Sequence, residues 1–238
     1  MIVCPDADLD SAAHAAATGG NYFAGQSCIA IQRLIVHESV LEKFAELLLR
    51  RIAELRIGDP LDPATDLGPV IDEDARDRIV WRIDEAVAEG ARLLTTPVDV
   101  DPHLRPIVLG DVEPTLSVWN REVFGPVLAM RSFAAFDEAV ELANGTPYGI
   151  QAGLYTRDIG TALAAVEELD FTGVAINEAA NFRVDQMPYG GVKASGNTRE
   201  GPHYAVREMT EERLVVVRKL GPAPLSTLPS QPDEEVSR

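Results

Sequence analysis

The residue with the greatest chemical capacity in this sequence is Cys28, which closes the run Asn21-Tyr22-Phe23-Ala24-Gly25-Gln26-Ser27-Cys28. A thiolate is a strong nucleophile, and Gly19, Gly20, Asn21 and Gly25 make residues 18–26 read as a loop or strained turn. A cysteine between such a turn and the start of a helix would meet free backbone N–H groups, which favour a thiolate and could hold an oxyanion. The competing reading is a buried structural thiol, and composition by itself favours it, because free cysteines are among the most buried residues.

A second constellation is Asn120-Arg121-Glu122-Val123-Phe124-Gly125-Pro126-Val127. Alternation along an extended chain would put Glu122 and Phe124 on one side, offering one ligand a carboxylate and a flat apolar ring. A solvated Glu and a core Phe are the plainer alternative. The third is the loop Met187-Pro188-Tyr189-Gly190-Gly191-Val192-Lys193-Ala194-Ser195-Gly196, which runs on to Arg199-Glu200-Gly201. So many glycines imply that its backbone approaches something closely, either a ligand or a tight structural crossing. The Lys-Ser pair lacks the Gly spacing of a phosphate-binding loop.

These segments need a scaffold, and the pattern between them alternates strand and helix. Residues 9–17 form a short helical stretch, and Leu34-Ile35-Val36 a buried strand. Ser39 with Glu42 has the form of a capping box ahead of Val40, Phe44, Leu47, Leu48, Ile52 and Leu55 at helical spacing. A helix over residues 72–89 turns Ile79, Ile83 and Val87 inward. Strands follow near 92–94, 107–109 and 128–133, with helices over 137–143 and 159–169 and strands at 153–155 and 173–176. The expected fold class is α/β, a mostly parallel sheet with helices on both faces. The β-prone Leu214-Val215-Val216-Val217 stands alone, as a plain edge strand of the same sheet or a strand that pairs with a partner chain.

Bulk properties agree with a folded domain. The chain has 238 residues, 46% hydrophobic and 25% charged, enough to bury a substantial core. With 21 Lys and Arg against 38 Asp and Glu, its formal charge of −17 repels polyanions, so neither nucleic acid nor an anionic membrane is an expected partner. Two cysteines, Cys4 and Cys28, are too few for a disulfide framework. No secretory signal, membrane span or metal site is expected, and the expected location is the cytoplasm.

Together, Gly25-Gln26-Ser27-Cys28, Glu122-Val123-Phe124-Gly125-Pro126, Asn144-Gly145-Thr146-Pro147-Tyr148-Gly149 and Pro188-Tyr189-Gly190-Gly191-Val192-Lys193-Ala194-Ser195-Gly196, in this order, resemble the aldehyde dehydrogenase superfamily. The resemblance runs from residue 2 to about 219 and turns the reading of Cys28 toward a nucleophile. It implies that Cys28 attacks an aldehyde to give a thiohemiacetal, that hydride passes to NAD or NADP, and that water hydrolyses the thioester. It further implies that Glu122 hydrogen-bonds the nicotinamide ribose and that Phe124 packs near the nicotinamide. The Cys28 backbone N–H would be one oxyanion donor, and Glu200 a carboxylate that assists proton transfer.

The same resemblance implies that this is the carboxyl-terminal catalytic portion of such an enzyme, without the Rossmann-like nucleotide-binding domain, the upstream Asn of the oxyanion site or the Glu general base. One oxyanion donor is worth ~10²–10³ in rate and a positioned base ~10²–10⁴, so weak activity and poor NAD binding are expected of the chain alone. The expected organisation is a partial catalytic domain over 1–212, an oligomerisation or edge strand over 213–220 and a disordered tail over 221–238. Three readings stand open: a fragment or second half of a split enzyme whose partner supplies the nucleotide fold, a residual thiol esterase, and a non-catalytic relic or interaction module; the expected assembly is a homo-oligomer or a complex with a nucleotide-binding half. Residues 182–191 look like the lactaldehyde, phosphonoacetaldehyde and non-phosphorylating glyceraldehyde-3-phosphate branch, so Arg183 would meet an anionic group on a small aldehyde. Ser27 stands where phosphate-binding relatives carry Arg, which leaves a small hydroxyaldehyde or a semialdehyde equally open.

Overall fold

Apolar residues alternate sides along the strands, and that alternation builds two cores, one on each face of a seven-stranded sheet. The computed structural model describes residues 1–96, 103–218 and 221. In chain order the main elements are β1 (Ile2–Val3), α1 (Leu9–Asn21), β2 (Arg33–His37), α2 (Leu41–Ala53), α3 (Glu73–Ala88), β3 (Arg92–Leu93), β4 (Ile107–Gly110) and α4 (Ser117–Asn120). They continue with β5 (Val127–Phe133), α5 (Phe136–Asn144), β6 (Tyr148–Gly149), β7 (Gln151–Tyr155), α6 (Ile159–Glu168), β8 (Gly173–Ile176), β9 (Val192–Lys193) and α7 (Pro202–Met209).

The sheet runs β3-β4-β5-β2-β1-β7-β8 and is parallel except for β3. At its centre Ile2 stands opposite Ile35 on one side and Leu154 on the other. Val3, Leu34, Val36, Leu128 and Met130 join α1 and α2 in one core, while Ile2, Ile35, Ala129 and Leu154 join the helices of the other. An α/β architecture with both faces covered is therefore what the chain adopts. Aspartates start several helices: Asp8 accepts from Ser11 N (3.1 Å), Asp72 from Ala75 N (2.7 Å) and Asp158 from Thr161 N (2.7 Å).

Local expectations were corrected in four places. Helix α1 continues through Gly19 and Gly20 to Asn21, because these glycines lie where Ile31, Leu128 and Asn181 come too close for a Cβ. The expected capping box does not form: His37 Nδ1 accepts from Ser39 N at 3.2 Å and caps a short 3-10 turn that leads into α2. On α3, Val87 is exposed and Ala86 takes the inward place, since a period of 3.6 moves the apolar stripe past Val87. Finally, residues 213–218 form no strand and pair with none of the described residues; the edges of the sheet are β3 and β8. Leu214, Val215, Val216 and Val217 lie exposed. Residues 219, 220 and 222–238, where the rest of that segment and the disordered tail were expected, lie outside the described residues. No helix among the described residues is long and apolar enough to cross a membrane.

Candidate active site

Three left-handed residues in a row deliver Cys28 to the surface. Phe23, Ala24 and Gly25 have φ of 50°, 56° and 70°, a run that stores strain at the first two because they carry a Cβ. The chain then turns at Ser27, whose carbonyl accepts from Ala30 N at 2.9 Å, and enters β2. No helix begins at Cys28, so the expected help from a helix amino terminus is absent. Among the described residues the Cys28 N–H is bonded to no acceptor. Cys28 is exposed, whereas Cys4 is buried and its thiol is pushed up to about 12, first by burial and then by Asp6.

The second constellation folds onto the first. Gly25 lies against Gly125, and Gln32, just before β2, donates to Val118 O (2.8 Å) and Arg121 O (2.7 Å) and accepts from Val123 N (2.8 Å). Arg82 donates to Glu122 O at 2.6 Å. These ties hold residues 121–126 in an irregular segment with bends at Arg121, Gly125 and Pro126 ahead of β5, with Phe124 at φ 55°. Glu122 and Phe124 line one cavity with Cys28, of about 380 Å³, which Arg33, Trp119, Tyr148 and Ser195 also line.

The third constellation reaches the thiol from one side. Strands β6 and β9 pair antiparallel, Gly149 N donates to Ser195 Oγ (3.0 Å), and Lys193 Nζ donates to Asn144 O (3.1 Å). Lys193 and Ser195 thus build a structural crossing, one of the two readings open for this loop. From it Tyr189 reaches across, its hydroxyl in hydrogen-bond contact with Cys28 Sγ. Burial, and then Cys28 itself, push the Tyr189 phenol well above its ordinary value, so it keeps its proton.

Arg183 and Glu200 do not line the Cys28 cavity. Both meet Tyr189: the Arg183 guanidinium stacks over its ring at 4.3 Å, and Glu200 pairs with it backbone to backbone. Tyr189 itself had no role assigned from sequence, although it sits inside a quoted motif. Gln32 and Arg33 were also passed over. Arg33 is half-buried, held down to about 10 by desolvation, and donates to Leu142 O and Ala143 O, both at 2.9 Å. A Gln-Arg pair interrupting the apolar run Ile29-Ala30-Ile31 and Leu34-Ile35-Val36 was the available signal.

The sequence profile of the aldehyde dehydrogenase family matches residues 1–215. A 3-sulfolactaldehyde dehydrogenase of Priestia aryabhattai is 40% identical over 216 residues, which are 91% of this chain and 45% of that protein. Aldehyde dehydrogenase 21 from Physcomitrella patens, solved in complex with the reaction product succinate, is 38% identical with a TM-score of 0.88, over 93% of this chain and 47% of that one. A glyceraldehyde-3-phosphate dehydrogenase from Methanocaldococcus jannaschii, solved complexed with NADP, is 37% identical with a TM-score of 0.84, over 87% of this chain and 45% of that one. The chain thus spans about half the length of the relatives it matches. With a family profile that takes in the whole sheet and every loop around Cys28, this chain belongs to the aldehyde dehydrogenase family.

Proposed function

We propose that this chain supplies the thiol-bearing half of an NAD- or NADP-dependent aldehyde dehydrogenase that oxidises a small anionic aldehyde to the carboxylic acid. The observation that carries the reading is one cavity that joins an exposed thiol, a carboxylate and an aromatic ring, those of Cys28, Glu122 and Phe124. A nicotinamide riboside presents hydroxyls and a flat ring, and Glu122 and Phe124 offer acceptor oxygens and an apolar face beside the thiol, so the residues present fit that group.

In this reading the Cys28 thiolate bonds to the carbonyl carbon, and negative charge passes to the carbonyl oxygen. The Cys28 N–H, bonded to no acceptor among the described residues, is a donor for that oxygen. A nicotinamide held beside Glu122 and Phe124 would supply the hydride acceptor. Cys28 then carries the acyl group as a thioester, and attack by water breaks the C–S bond, releasing the acid and restoring the thiol. Glu200, beside Tyr189, assists the proton transfers. Of the three relatives, one is named for a sulfonated aldehyde, one for a phosphorylated aldehyde, and one was solved in complex with the dicarboxylate reaction product succinate. Arg183 is exposed, pairs with no carboxylate among the described residues and stacks on the ring that touches the sulfur, which suits it to the anionic end of such a substrate.

Mixing the chain with the nucleotide-binding half of a full-length relative tests the reading. Aldehyde-dependent formation of NADH or NADPH that disappears in Cys28→Ser is the expected result. Arg183→Ala should raise KM for an anionic aldehyde about tenfold or more, leaving that for a neutral one nearly unchanged. Absence of turnover with either cofactor across anionic and neutral aldehydes would overturn it. The exposed thiol favours a second activity, a cofactor-free esterase, read as a Cys28-dependent burst with an activated ester.

A further inference from the structure

The side chain that touches the reacting sulfur is Tyr189, and nothing in the chemistry above requires it. Its hydroxyl meets Cys28 Sγ across 161 residues of sequence, and three features hold it there. Backbone bonds to Glu200 run both ways, Tyr189 N to Glu200 O at 3.2 Å and Glu200 N to Tyr189 O at 2.6 Å. The next residue, Gly190, approaches Thr198 so closely that a Cβ would stand 2.3 Å from the Thr198 carbonyl oxygen. On the ring face the Arg183 guanidinium lies 4.3 Å from the centroid and draws electron density from the phenol, which makes the O–H a stronger donor. Tyr189 is therefore a fixed ring with its hydroxyl pinned at the sulfur, not a surface residue that happens to lie near it.

We propose that Tyr189 is a catalytic hydrogen-bond donor to the nucleophile: its O–H holds the Cys28 sulfur in place and stabilises it as the thiolate before attack. The inference rests on the reading of Cys28 as the nucleophile. A neutral phenol is suited to this task because it supplies a proton to share without adding charge, and hydrogen bonds to ionised acceptors are the stronger kind. The other residues with titratable or charged groups that line the cavity or meet the ring are Met1 with its amino terminus, Arg33, Arg121, Glu122, Tyr148, Arg183 and Glu200. All of them remain in a Tyr189→Phe variant, so a change in that variant reports the hydroxyl alone.

The test is the pH profile of alkylation of the 238-residue chain by iodoacetamide, in which the Cys28 thiolate forms a C–S bond and iodide leaves. In Tyr189→Phe the midpoint of the profile should rise by about one pH unit, which means ~10-fold slower labelling at neutral pH. A side chain that served only to support the loop would leave the midpoint in place. A midpoint that is unchanged or lower overturns the proposal. Peptide mapping separates the two levels of the argument: label found on Cys4 refutes Cys28 as the nucleophile, whereas label on Cys28 with coincident profiles refutes Tyr189 alone. Should Tyr189→Phe fail to fold, 3-fluorotyrosine at position 189 keeps the ring and acidifies the hydroxyl. It should move the midpoint downward, and no movement would overturn the proposal equally.

Discussion

Gly25 and Gly125 lie back to back, with a Cβ built on Gly25 falling 2.0 Å from the Gly125 carbonyl oxygen and 2.3 Å from its carbon. The contact brings the loop of the thiol and the loop of Glu122 and Phe124 together through backbone alone. Gly25 also has φ of 70°, a conformation that any residue with a Cβ resists. Gly25→Ala should therefore cost ~2–4 kcal/mol, from the strained φ together with the overpacked contact. Urea unfolding measures the loss, and a variant within ~0.5 kcal/mol of the parent would show that the two loops part at little cost.

The two thiols should differ sharply in reactivity. Cys28 is exposed in the cavity, whereas Cys4 is buried, with burial and Asp6 pushing its thiol from 9.0 up to about 12. Iodoacetamide at pH 8 should label Cys28 at least ~10²-fold faster than Cys4 in the folded chain, because the thiolate is the reactive form. Mass spectrometry of the digested protein reads the ratio, and comparable rates would contradict the burial of Cys4.

Helix α6 supplies a pH-dependent contribution to stability. Asp158 caps it by accepting from Thr161 N (2.7 Å) and Oγ1 (2.8 Å), and these bonds hold its carboxyl below the ordinary 3.8. Because the folded value is depressed, the contribution is fully present above 3.8 and is lost as pH falls through the folded value. Asp158→Ala should thus melt below the parent at pH 7, and the gap in Tm should close toward pH 2. A gap that persists at pH 2 would assign the effect to something other than the ionised cap.

Leu214, Val215, Val216 and Val217 are 60–89% exposed, with Val206 and Met209 of α7 also exposed just before them. A β-prone apolar run of this kind tends to find another chain. Light scattering at micromolar concentration should give a mass above the 25.8 kDa of one chain, and replacing Val215 and Val217 with Lys should return it to that value. A parent that is already monomeric would count against this segment as an assembly element.

How much of this was legible beforehand depended on the range of the forces involved. Leu34-Ile35-Val36 and Ile107-Val108-Leu109 announced their strands, since burial on both faces requires an unbroken apolar run, and the helices between them followed the same logic. Cys28, Glu122 and Phe124 were chosen through motifs, and the fold brings them into one cavity. The contact of Tyr189 with Cys28 was hidden, because a pairing across 161 residues leaves no local pattern. Gly19 and Gly20 misled for a different reason: glycine marks either a bend or a close approach, and a sequence does not say which. At Ser39 a well-formed capping signal lost to a neighbouring imidazole that reached the same N–H.

The central position of β1 has a consequence for how the molecule comes to be folded. Ile2 and Val3 take Leu154 and Tyr155 as neighbours, and Asp6 takes both the Thr156 hydroxyl and the Arg157 N–H, so the middle of the sheet is sewn together by segments about 150 residues apart. During synthesis β1 must wait until β7 has left the ribosome before its second edge is satisfied, although β2, β4 and β5 are available sooner. Closure of such distant pairings is slow, and the waiting edge of β1 is exposed meanwhile. The step from a five-stranded half-sheet to the closed seven-stranded one is where this chain is most open to mispairing, and where a chaperone would have the most to protect.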